Sequence, residues 1–144
     1  MLYLDTSAFL KLYIREAGSE EVQDTIVSQN YPLPVWEVLE MELMNALQLK
    51  VFRKELGEAD AALQQALFYE RKAKGFYYVP EIARAELMSD FKRLSAHTAK
   101  LGCRTMDILH VAFACQLRPN LFISYDQRQK QLAQIAGLTV FGID

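Results

Sequence analysis

Short apolar runs alternate with longer stretches of helical periodicity along the chain. Leu2-Tyr3-Leu4 is apolar throughout and stops at Asp5-Thr6-Ser7, residues suited to capping, before Ala8-Phe9-Leu10-Lys11-Leu12-Tyr13. This pattern predicts a strand and then a helix. Gly18-Ser19 followed by Glu20-Glu21 opens a second helix, poor in apolar positions, that runs to Gln29 on the surface. Pro32-Leu33-Pro34-Val35 is a short strand or extended connection, and Trp36 to Arg53 then places Leu39, Leu43, Ala46 and Leu47 at helical spacing. A further helix is expected over Glu58 to Lys74, closed by Gly75, and a small aromatic strand over Phe76-Tyr77-Tyr78-Val79, stopped by Pro80.

In the second half, Leu87, Phe91, Leu94 and Thr98 predict one helix from about Ile82 to Leu101, ended by Gly102. Thr105-Met106-Asp107 opens another through Leu117. Leu121-Phe122-Ile123-Ser124-Tyr125 is a strand ending at Asp126, followed by a helix to Ala136, a stop at Gly137 and a last strand over Leu138-Thr139-Val140-Phe141. Short apolar strands separated by long helices imply an α/β sandwich with a parallel sheet. No repeat, low-complexity tract or compositional shift interrupts residues 1–144, so a single domain is expected.

Composition narrows the classes that remain. The 144 residues are 51% hydrophobic and 24% charged, with 6 Gly and 4 Pro, which excludes disordered and collagen-like chains. No run approaches the roughly 20 apolar residues of a membrane helix, and the N-terminus lacks the basic and apolar parts of a signal peptide, so a cytoplasmic protein is expected. Cys103 and Cys115 are too few for a disulfide scaffold and unsuited to structural zinc; two small core residues is the simpler reading. The formal net charge of -2 argues against gripping nucleic acid by charge alone. A polyanion would need a local basic patch or a bound cation.

The acids carry the chemistry. Asp5 and Asp126 each end an apolar strand at a strand-to-helix turn, where open parallel sheets bind ligands. Each is also a good N-cap, and that reading stays open. Asp107 lies in the first turn of its helix, where the dipole favours an acid, and shares a face with His110, Val111 and Ala114. Glu42 has Val38 and Leu39 one turn before it and Asn45 and Ala46 one turn after, on or beside the apolar stripe, whereas Glu37 and Glu40 lie further from it and read as solvated. A carboxylate facing a core is costly unless it is paired or binds metal.

Asp5, Glu42, Asp107 and Asp126 could form one acidic pocket. Clustered carboxylates raise one another's pKa, and a hard cation such as Mg²⁺ or Mn²⁺ relieves the conflict, whereas zinc would want His and Cys ligands that the chain does not place well. The matching chemistry is phosphodiester hydrolysis by a metal-activated water. Thr6 and Ser7 could orient such a water or simply cap the first helix. Lys50, Arg53, Lys54, Arg71, Lys72, Lys74, Lys92, Arg93, Lys100 and Arg104 are candidates for phosphate contact, with Arg104 and Arg128 favoured because they adjoin motif acids.

Four segments, taken in order, resemble the acidic motifs of the PIN domain. They are Leu-Tyr-Leu-Asp5-Thr6-Ser7-Ala, Met-Glu42-Leu-Met-Asn45-Ala-Leu, Arg104-Thr105-Met106-Asp107-Ile-Leu109-His110-Val-Ala112 and Phe-Ile-Ser-Tyr-Asp126-Gln-Arg128-Gln. The chain is similar to VapC-type toxin ribonucleases over Met1 to about Val140. The resemblance implies a three-layer α/β/α sandwich with a central parallel sheet and Mg²⁺- or Mn²⁺-dependent endoribonuclease activity, as the toxin of a type II toxin-antitoxin system. It also implies an RNA substrate, a cognate antitoxin that inserts a segment into the active-site groove, and a homodimer. By position, Asp5, Glu42, Asp107 and Asp126 correspond to the family's metal-binding catalytic acids, Thr6 or Ser7 to the hydroxyl after the first, and Asn45 to a polar residue one turn beyond the second. The alternatives are a PIN-like nuclease of RNA maturation or acting on DNA, and a catalytically silent PIN-like binding module.

Overall fold

The structure, a computed structural model, describes residues 1–142. They divide into two compact units, one of Met1–Ala8 with Glu81 onward and one of Phe9–Pro80. Among the described residues no helix is long and apolar enough to cross a membrane.

The first unit is built on strand β1 (Leu2–Leu4), which pairs in parallel with β4 (Leu121–Ile123) in the register Leu2↔Leu121, Tyr3↔Phe122, Leu4↔Ile123. Both are continuous apolar runs, as expected of parallel strands covered on both faces, and all of β1 is buried. Tyr3 stacks on Phe122 with ring centroids 5.5 Å apart and meets the edge of Phe113 at 6.1 Å. Helix α1 (Thr6–Leu10) follows β1 in the chain. Helices α5 (Arg84–Ser95), α6 (Thr98–Leu101), α7 (Thr105–Leu117) and α8 (Gln127–Ile135) complete this unit, with α7 packed on α5 and α8. Helix α7 buries Asp107, Ile108, His110, Val111, Ala112, Phe113 and Ala114, so two polar residues stand on an otherwise apolar face.

The second unit holds α2 (Ser19–Gln29), β2 (Leu33–Pro34), α3 (Glu37–Phe52), α4 (Glu58–Ala73) and β3 (Tyr77–Tyr78), with β2 and β3 parallel. Leu39, Leu43 and Leu47 of α3 are buried, which is the stripe read from the periodicity. Phe9, Tyr13, Phe68 and Tyr77 form an aromatic cluster with centroids 5.1 to 6.2 Å apart.

Two elements differ from the sequence expectation. The helix expected over 82–101 is two helices, α5 and α6, parted at Ala96-His97. Ser95 Oγ donates to the Lys92 carbonyl at 2.8 Å, and His97 N bonds Leu94 O at i−3, so the turn tightens and the α-helical ladder stops. The strand expected over Leu138–Phe141 is a single parallel bridge, Phe122↔Val140, flanked by Phe122 N to Thr139 O and Phe141 N to Phe122 O. The stop before it is as expected: Gly137 has φ +86, a conformation glycine adopts without a Cβ penalty.

Candidate active site

Parallel pairing puts the carboxyl ends of β1 and β4 at one edge, and the register that ends at Leu4↔Ile123 sets Asp5 beside Ser124. Asp5 N continues the ladder to Ile123 O at 3.1 Å. The Asp5 carboxylate, 1% exposed, is held on both oxygens: Oδ1 accepts from Ser7 Oγ at 2.6 Å and Ala8 N at 2.9 Å, and Oδ2 accepts from Ser124 Oγ at 2.6 Å. The bond to Ala8 N is the capping contact foreseen at this position, and the serines add to it. Burial pushes the Asp5 carboxyl above its ordinary 3.8, while His110, Ser124, Ser7 and Ala8 N pull the other way without cancelling the rise.

Ser124 continues the network to the next acid by accepting from Asp126 N at 3.0 Å, and Ser7 Oγ accepts from Tyr125 N at 2.9 Å. Asp126 is the N-cap of α8, its Oδ1 accepting from Gln129 N at 3.0 Å. Gln129, 3% exposed, then sends its side chain to α7: Nε2 donates to Asp107 Oδ1 at 3.3 Å. Asp107 Oδ2 accepts from Arg104 N at 2.9 Å and Nε at 3.3 Å, which folds the acid back over the start of its own helix. The Arg104 guanidinium, 74% exposed, also lies 3.7 Å from Asp126 Oδ2. Asp5, Asp107 and Asp126 thus belong to one hydrogen-bonded network running through Ser124 and Gln129, with the Arg104 guanidinium an ion-pair partner of Asp107 and Asp126.

Behind it, Tyr3 Oη and His110 Nδ1 share a buried hydrogen bond of 2.6 Å, and His110 Nε2 lies 3.3 Å from Thr6 Oγ1. His110 is therefore a hydrogen-bonded core residue. Removing a bond in a buried site costs about 1–2 kcal/mol. Tyr3→Phe should lower stability by that amount in urea unfolding; an unchanged midpoint would contradict the role of this bond in fixing α7 against β1.

Glu42 is half-buried on α3 of the second unit, beside buried Leu43, and Asn45 is exposed on the same helix. Arg128 donates to the Gly102 carbonyl at 3.3 Å instead of reaching a motif acid. Of the other basic candidates, Lys50 pairs with Glu16 and Glu55, Lys72 with Glu40, Lys74 with Glu70 and Arg93 with Asp90. Cys103 is buried and Cys115 half-buried, both as free thiols. The sequence reading missed Ser124 and Gln129. Gln129 carried a signal, because Asp126-x-x-Gln129 has the spacing of an N-cap followed by an N3 glutamine, although the side chain goes to Asp107 and not back to the cap.

The chemistry of the donors suits a hard cation. Three carboxylates and the amide oxygen of Gln129 are all oxygen donors. Among the described residues Gln129 Oε1 is buried with no hydrogen-bond partner, and such an acceptor costs about 1–3 kcal/mol when left unmade. As the side chains stand, no three His, Cys, Asp or Glu among the described residues converge as a metal cage.

Comparison with known proteins bears on the fold and the family. FitAcB from Neisseria gonorrhoeae has a similar fold, with a TM-score of 0.65 at 15% identity, covering 99% of this chain and 97% of that one. No curated protein matches the chain. The model of the PIN domain matches residues 2–135 and so spans all four acidic motifs. PIN domains are generally nucleases, and the mostly helical chain with its small parallel pairings is an α/β sandwich of that kind. With parallel strands that end in acids and a family match over nearly its whole length, the chain belongs to the PIN domain family.

Proposed function

We propose that the protein is a Mg²⁺- or Mn²⁺-dependent endoribonuclease, the toxin of a type II toxin-antitoxin pair, that cleaves RNA phosphodiesters with Asp5, Glu42, Asp107 and Asp126 as its metal-binding catalytic acids. The observation that carries this reading is the network joining Asp5, Asp107 and Asp126 at the carboxyl ends of two parallel strands. Glu42 is included only for its place in the motif order. A divalent cation held there would neutralise phosphate oxygens and lower the pKa of an attacking water.

The residues of the chain do the rest. Three hydrogen bonds fix both oxygens of Asp5, so its orientation is set before substrate arrives. Ser7 and Ser124 spend their protons on Asp5 and position it, whereas Thr6 stands by His110. Arg104 is the exposed cation at the network and the first candidate to meet an RNA phosphate. A cognate antitoxin, a homodimer and a cytoplasmic setting belong to the same proposal.

One observation favours a second reading, a PIN-like module that binds without cleaving: Arg104 already gives Asp107 and Asp126 a positive partner. Metal dependence separates the two. EDTA should stop cleavage of a structured-RNA pool, and Mg²⁺ or Mn²⁺ should restore it. Cleavage that survives EDTA, or returns with Zn²⁺ alone, would overturn the assignment.

A further inference from the structure

Gln129 is the residue through which Asp107 and Asp126 are joined by direct hydrogen bonds. Its backbone N–H donates to Asp126 Oδ1 and its side-chain Nε2–H to Asp107 Oδ1. The side chain is 3% exposed, so it has little freedom to do otherwise. The bond to Asp107 also fixes which way round the amide lies, since a flipped amide would set one acceptor against another. This leaves Oε1, on the same amide carbon, buried without a partner and next to a carboxylate. An apolar side chain of similar volume would fill the place without that unmade acceptor. A glutamine here makes sense if the oxygen has a partner in the working state.

We infer that Gln129 is a positioning residue of the acidic site: Nε2 sets the orientation of the Asp107 carboxylate, and Oε1 accepts from water held at a divalent cation, so that Gln129 governs metal affinity. The inference rests on the metal-dependent reading above. Partners of metal-binding carboxylates act in this way, and losing one typically weakens binding about 10- to 100-fold. The effect falls on affinity, so abundant metal compensates for it.

The test uses the full chain with Gln129→Leu and Gln129→Met, and Thr98→Val as control, because Thr98 Oγ1 is the other buried acceptor without a partner among the described residues. Mn²⁺ binding is read by titration calorimetry, cleavage is read as a function of Mn²⁺ concentration, and melting checks the fold. The Leu and Met variants should stay folded and bind Mn²⁺ about 10- to 100-fold more weakly. Their cleavage curves should shift to higher Mn²⁺ and reach the wild-type plateau, and Thr98→Val should bind Mn²⁺ as the wild type does. If Leu unfolds the chain, Met carries the test. Wild-type Mn²⁺ affinity in a folded Leu or Met variant overturns the inference alone, as does equal weakening in Thr98→Val or a lowered plateau without a shift. A wild type that binds no Mn²⁺ overturns the metal reading, and the inference with it.

Discussion

Asp5→Asn should melt above the wild type at neutral pH in the presence of chelator, and should cleave RNA at least ~100-fold more slowly once metal is supplied. The stability gain follows from burial. Desolvation holds the Asp5 carboxyl above its ordinary 3.8 despite His110 and three hydrogen bonds, so the folded chain binds this proton more tightly than the unfolded chain does. A folded state that holds a proton more tightly is favoured at low pH. The stability Asp5 contributes is therefore full below its unfolded pKa and is lost as pH rises through the folded value. An amide in its place does not titrate. The difference between variant and wild type should open over that window and stay constant above it.

The local bonds permit the exchange. The amide oxygen can keep Ser7 Oγ and Ala8 N, while the new N–H₂ faces Ser124 Oγ, which already accepts from Asp126 N and has a second lone pair to offer. Melting curves from acid to neutral pH check this prediction. A variant that melts below the wild type throughout would contradict the buried-charge account.

Asp5, Asp107 and Asp126 stood out because each ends or opens an element. Leu2-Tyr3-Leu4 and Leu121-Phe122-Ile123 are apolar to the last residue, and the capping roles of Asp5 and Asp126 follow from local spacing alone. What joins the acids was not legible. Ser124 meets Asp5 across 119 positions because of the β1–β4 register, and Gln129 meets Asp107 across 22 because α8 packs on α7. Neither contact leaves a periodicity in the chain. The break at Ala96-His97 escaped for a different reason: the apolar spacing of Leu87, Phe91 and Leu94 continues to Thr98, while one hydroxyl at Ser95 competes for the backbone. The last strand failed because Leu138–Phe141 has strand composition but only Val140 is paired, and β-propensity depends on having a partner. Glu42 shows the limit of a stripe argument: periodicity placed it beside Leu43, and its half-burial agrees, but its proposed role comes from motif order.

Asp107→Asn should give the other large effect, on activity with little on stability. The carboxylate accepts from Arg104 on one oxygen and from Gln129 on the other, so a new N–H₂ group would meet a donor on one side. Turning the Gln129 amide over relieves this, because Oε1 is the buried acceptor that lacks a partner. The start of α7 loses one favourable charge on its dipole, about 0.3–1 kcal/mol. The variant should therefore fold, with stability within ~1 kcal/mol of the wild type. Cleavage should fall at least ~100-fold, since the amide carries no charge to hold a cation.

Cleavage of a mixed structured-RNA pool by wild type and by folded Asp107→Asn, each with Mn²⁺ and with EDTA, tests the central claim most directly. The account predicts cut RNA in one arm, the wild type with Mn²⁺. Equal cleavage by Asp107→Asn with Mn²⁺, or cleavage by the wild type in EDTA, would contradict it.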